Sequence, residues 1–146
     1  MLLRTTRFGS LEIVAEDILR FPAGLLGLEG CREWVLLADA QNDALGWLQS
    51  LARPEVALAL VSPRRFVPDY QFRVFRSELA GLELSSVEAA HVLVVVGRNE
   101  RSITLNLRAP LVVNLEHRLG RQVVAHGELP VQYELTAPAT VWKKSA

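Results

Sequence analysis

Leu45-Gly46-Trp47-Leu48-Gln49-Ser50-Leu51 and Glu55-Val56-Ala57-Leu58-Ala59-Leu60-Val61, separated by Ala52-Arg53-Pro54, decide the fold class. The second run is almost entirely apolar and too short for a buried helix. Pro54 precedes it and Ser62-Pro63 ends it, so it reads as a central strand covered on both faces.

The same signals recur on either side. Leu2 to Phe8 and Leu11 to Val14 flank Gly9-Ser10, a pair suited to a two-residue hairpin turn. Ile18 to Phe21 is a short strand stopped by Pro22. The glycine-spaced stretch Phe21 to Gly30 predicts a shaped turn rather than a regular element. Glu33 to Leu37 is a strand, and Asp39 to Asp43 a polar loop. After Pro63, Tyr70 to Phe75 alternates, with Tyr70, Phe72 and Val74 on one face and Gln71 and Arg73 on the other. Ser77 before Glu78-Leu79-Ala80, and the capping-box pattern Ser85-Ser86-Val87-Glu88, predict one or two short helices. Strands follow at His91 to Val96, Ile103 to Leu107, Leu111 to Leu115, Gln122 to Ala125 and Val131 to Leu135, with a turn at Leu119-Gly120. The expectation is an all-β protein: a small closed or partly open β-barrel of about ten short strands. One domain over 1–136 and a C-terminal tail over 137–146 complete it.

Acidic and basic residues balance at 16 each, so no overall field draws in nucleic acid or an anionic membrane. The segment Met1 to Ser10 has no apolar core of a secretory signal, and Val56 to Val61 is far short of a membrane helix. Cys31 is the single cysteine, which fits a reducing cytoplasm and a packing role. His91, His117 and His126 match no zinc spacing, and no Gly-x-Ser-x-Gly elbow occurs. Gly24-x-x-Gly27-x-x-Gly30 lacks the spacing of a phosphate loop. The sequence therefore offers no catalytic set, no metal ligands and no cofactor motif.

What it does offer is an aromatic, proline-bearing cluster. Phe66-Val67-Pro68-Asp69-Tyr70-Gln71-Phe72 follows Arg64-Arg65, and Trp47-Leu48-Gln49 lies two strands earlier. Aromatic residues and arginines on loops are common anchors of protein interfaces. Trp47, Gln49, Phe66, Pro68, Asp69, Tyr70 and Phe72 are the candidate partner-binding residues. The competing expectation is that these aromatics close one end of the barrel.

Four segments, in order, resemble the flagellar assembly factor FliW family. They are Phe21-Pro22-Ala23-Gly24-Leu25-Leu26-Gly27-Leu28-Glu29; Trp47-Leu48-Gln49-Ser50-Leu51 with Pro54-Glu55-Val56-Ala57 and Ser62-Pro63; Phe66 to Phe72; and Asn106 to Asn114 followed by Gly120 to Val124. The resemblance implies a compact β-barrel without catalysis or cofactor. It further implies a cytoplasmic regulator that binds the translational regulator CsrA and flagellin, relieving repression of flagellin translation. Leu26 and Leu28 replace the family's usual Pro and Phe, and the chain is neutral where the family tends to be acidic. Two other classes are weighed beside it. One is a ligand-binding barrel or enzyme with an apolar lumen closed by the Phe66 to Phe72 loop; the other is a small RNA-binding barrel.

Overall fold

The structure, a computed structural model, describes residues 1–135. The tail expected over 137–146 lies outside the described residues. The strands are β1 (Leu2–Thr5), β2 (Gly9–Glu12), β3 (Ile18–Arg20), β4 (Glu33–Ala38), β5 (Leu45–Ser50) and β6 (Ala57–Val61). Then come one short helix, α1 (Arg76–Leu79), and β7 (His91–Arg98), β8 (Ile103–Leu105), β9 (Leu111–Asn114), β10 (Leu119–Gln122) and β11 (Tyr133–Glu134). Seven strands in the order β7-β6-β5-β4-β3-β10-β9 form a closed barrel, because β7 pairs with both β6 and β9. Closure removes the exposed strand edges that an open sheet would present. The neighbours are antiparallel except β3 and β10, which meet in parallel at Arg20 and Leu119.

Strands β8 and β9 act as one broken partner of β7. Val96 pairs with Leu105 and Leu93 with Leu111, so the two residues of β7 between them face five on the other side. The surplus forms a kink at Asn106 to Pro110. Asn106 Oδ1 accepts the N–H groups of Arg108 and Ala109 at 3.2 and 3.1 Å, which supplies partners that the broken ladder cannot.

The period of two sorts the barrel strands into an inner and an outer set. Leu19, Phe21, Trp34, Leu48, Leu60, Leu111 and Val113 point inward and are almost wholly buried, with Leu36, Leu58, Leu93 and Val95 packed against them. Phe21 lies across Gly120, where an added Cβ would stand 2.4 Å from its ring, so only glycine fits at that point of β10. The lumen is thus filled by side chains. A ligand-holding lumen, one of the alternatives weighed from sequence, does not fit this interior.

The outward residues are also covered, by excursions of the chain. The β1–β2 hairpin lays Leu3, Leu11 and Ile13 over Ile18, Val35 and Leu37. The crossing from Ser62 to Phe75 lays Val67, Tyr70 and Phe72 over Val61, Val94, Leu105 and Leu107. The segment holding α1 lays Leu79, Leu82 and Leu84 over Val112 and Val123. A side chain hidden in this way contributes roughly 1.5–3 kcal/mol relative to leaving it in water. The Phe66 to Phe72 loop therefore covers the barrel wall and does not close its mouth.

Several local expectations shift. The hairpin turn is Thr6-Arg7-Phe8 rather than Gly9-Ser10, with Thr5 paired to Gly9 and Gly9 at φ +68°. Thr5 Oγ1 accepts the Phe8 N–H and donates to the Gly9 carbonyl, so the threonine builds the turn. Leu119-Gly120 opens β10 instead of turning; the turn precedes it, with Arg118 at φ +56°. Tyr70 to Phe75 is no strand, since only Arg73 pairs, with His126. Side-chain packing supplies the alternation there without a neighbouring strand. At the capping-box pattern a 3-10 turn forms over Val87–Ala89, and no side chain caps it. Cys31 is buried in the lumen core as expected of a packing residue, and its carbonyl accepts the Trp34 indole N–H at 3.0 Å.

Candidate partner-binding surface

Trp47 stands on the outer face of β5, half-buried, opposite Leu37. Its indole N–H donates to Asp39 Oδ1 at 2.9 Å. Asp39 is itself held by the turn it begins, because its other oxygen accepts the Gln41 and Asn42 amides. The Trp47 bond first, and the Gln41 amide next, hold the Asp39 carboxyl below its ordinary value. Phe8 meets the Trp47 ring edge-on at 5.7 Å between centroids, and the Arg7 guanidinium lies 4.3 Å over the ring. The three-residue hairpin turn is what brings Arg7 and Phe8 there. The result is an oriented aromatic flanked by a cation and a carboxylate.

The Ser62 to Phe75 crossing reaches the same turn. Arg65 pairs with Asp43 at 3.1 Å, tying the crossing to the loop that holds Trp47. Beyond it, Phe66 is exposed at 40 %, with Pro68 and Asp69 also exposed. These residues fit a contact surface: rigid, amphipathic and costing little entropy to dock.

Two of the candidate residues lie in the interior. Gln49 is fully buried beneath the β1–β2 hairpin, where its Nε2 donates to the Ser50 and Pro54 carbonyls at 2.9 and 3.3 Å. Tyr70 is 5 % exposed, and its hydroxyl donates to the Leu107 carbonyl at 2.7 Å. That bond crosses the β8–β9 kink and supplies a partner to a carbonyl in the break. Burial pushes the Tyr70 hydroxyl up to about 12. Phe72 is half-buried and stacks on Tyr70 at 5.8 Å. Sequence alternation put Tyr70 and Phe72 on one face, which is the inward face of the crossing; a loop position alone did not reveal it.

Sequence reading missed Arg7 and Phe8, whose role depends on where the hairpin turns, and Phe75 and Val87, exposed at 65 and 85 %. Phe75 had a signal, since the alternation that buries Val74 turns it outward with Arg73. Among the described residues no three His, Cys, Asp or Glu side chains converge on a possible metal position. No helix among them is long and apolar enough to cross a membrane.

Comparison with known proteins gives the arrangement a family. The model of the FliW protein family matches residues 2–137. A flagellar assembly factor FliW of Bdellovibrio bacteriovorus is 36% identical over 126 residues, covering 85% of this chain and 72% of the relative. One from Desulfitobacterium hafniense (strain DSM 10664 / DCB-2) is 39% identical over 127 residues, covering 85% and 83%. A crystal structure of the flagellar assembly factor FliW superposes with a TM-score of 0.86 at 26% identity, covering 94% of this chain and 98% of the other. The match spans nearly the whole barrel with its coverings, and the chain belongs to the FliW family of flagellar assembly factors.

Proposed function

We propose that this chain acts in the cytoplasm as a protein-binding regulator of flagellar assembly, engaging a CsrA-type translational regulator and flagellin and thereby relieving repression of flagellin translation. The observation that carries the reading is the family match over residues 2–137. The barrel supports it physically: its lumen is packed, so the chemistry available to other molecules is on its outside. Trp47 with Arg7 and Phe8, and the neighbouring Phe66-Val67-Pro68-Asp69 bend, form the proposed partner surface. Neither nucleic acid nor a membrane is a partner in this reading, since the charge is balanced.

The two partners are proposed to be coupled. Binding linkage requires that if flagellin weakens CsrA binding by some factor, CsrA weakens flagellin binding equally. Titrating the cognate flagellin into a preformed complex with the cognate CsrA-type protein tests this. Release of the CsrA-type protein is expected. A ternary complex with both affinities unchanged would remove the switch, and failure of both proteins to bind would remove the reading.

A further inference from the structure

A groove of ≈ 910 Å³ runs between the Ser62 to Phe75 crossing and the start of β7, on the side away from Trp47's strand. Phe72, Val74 and Val87 give it apolar walls, and Arg64, Arg73 and His91 are its basic members; its lining includes no carboxylate. Arg20, Arg53, Arg65 and Arg101 are each paired with a carboxylate. Among the described residues, Arg64 and Arg73 have no carboxylate within salt-bridge distance. Arg64 is held in place, because its Nε donates to the Tyr70 carbonyl at 3.0 Å, leaving its terminal nitrogens for another acceptor.

The backbone of the crossing adds a second feature. The Arg73 carbonyl accepts the His126 N–H at 2.8 Å, while Phe72 and Val74 have no backbone hydrogen-bond partner among the described residues. An extended chain laid along Phe72 to Val74 would find backbone donors and acceptors, apolar walls and two uncompensated guanidinium groups. That combination is the chemistry of strand addition with charge complementarity.

We propose that this groove seats an extended, acidic segment of a protein partner, with apolar side chains alternating with carboxylates. The inference rests on the protein-binding reading above and adds a second surface to it. Arginine forks bind carboxylates in two-pronged fashion, and the alternation lets one face of the segment enter the groove while the other meets Arg64 and Arg73. RNA is also anionic, but Tyr70 and Phe72 of the lining stack on each other, with Tyr70 buried and Phe72 half-buried, which makes them poor platforms for bases.

The test uses the full chain and three fluorescent probes: a peptide of alternating Leu and Glu, the same peptide with Lys for Glu, and an oligouridine RNA. Arg73→Glu and Val87→Asp are suitable variants because both side chains are exposed, and unchanged melting temperatures verify their folds. The Leu–Glu peptide is expected to bind, the Leu–Lys peptide not, and either variant to weaken the former about tenfold. Equal binding of both peptides, binding unaffected by both variants, or binding of the RNA alone would overturn the proposal. The same variants titrated with the cognate flagellin and CsrA-type protein separate the two readings. If wild type and variants bind both whole proteins equally, the groove is not a partner seat while the partner reading stands. If the acidic peptide binds but neither whole protein does, the groove stands and the partner reading falls.

Discussion

Trp47 and Tyr70 both cover the outside of the barrel, yet they are held in opposite ways. Trp47 donates to Asp39, a half-buried carboxylate in a surface turn, and shares its ring with Arg7 and Phe8. Tyr70 donates to the Leu107 carbonyl, a backbone group inside the β8–β9 kink, and is almost wholly buried. The first arrangement orients an aromatic at the surface. The second repairs a break in the strand ladder. Both are aromatics of the candidate cluster, and the hydrogen-bond acceptor decides which role each takes.

That contrast orders the expected mutational effects. Tyr70→Ala should be the most damaging, costing about 3–5 kcal/mol of stability, since it leaves a cavity beside Val94 and Leu105. Thermal melting reads this, and in the fraction that stays folded binding at the Trp47 side should be unchanged. Lost affinity without lost stability would move Tyr70 to the contact surface.

Trp47→Ala should reverse the balance. Loss of about 2 kcal/mol of partner binding is expected for an interface anchor, with a smaller loss of stability because the ring is only half-buried. Titration calorimetry and melting on the same variant separate the two. A large fall in melting temperature with intact binding would make Trp47 a structural residue like Tyr70.

Tyr70→Phe keeps the packing and removes the donor, so about 1–2 kcal/mol should be lost. The hydroxyl also gives a pH signature. Below about pH 10 the tyrosine is protonated in both folded and unfolded chains, and its contribution is complete. Between about 10 and 12 the unfolded chain ionises while the folded one does not, so stability falls as pH rises through this window. Denaturant titrations across that range should show a steeper loss in wild type than in Tyr70→Phe.

The smallest effect belongs to Asp39. Its carboxyl is held below the ordinary value chiefly by the Trp47 indole, so its contribution is present above the ordinary carboxylate range and lost as pH falls. The emission of Trp47 should change on acidification. Asp39→Asn should abolish that change; an identical acid transition in the variant would mean that the indole senses another group.

Much of the fold was legible because strand period and turn residues are local. The apolar run ending at Val61, the glycine stretch from Phe21 and the strands around Val94 and Val112 all follow from it. Closure was less legible, since the β8–β9 kink depends on Asn106 and on a tyrosine 37 residues away in sequence. The exposure of the candidate residues was legible in part. Phe66, Pro68 and Asp69 are exposed and Trp47 half-buried, whereas Gln49 and Tyr70 are interior because the hairpin and the crossing cover them. Arg7 and Phe8 could not be joined to Trp47 before the hairpin turn was located three residues ahead of Gly9-Ser10.

The most direct test is amide hydrogen exchange of the full chain, alone and with the cognate CsrA-type protein or flagellin bound. The Leu107 amide is expected to exchange slowly in every state, because it is buried and donates to the Pro130 carbonyl at 3.0 Å. New protection should appear with at least one partner across the turn from Asp39 to Trp47 and the bend from Phe66 to Asp69. Unchanged exchange over both segments in both complexes, with the partners demonstrably bound, would contradict the claim that the Trp47 side is a partner surface.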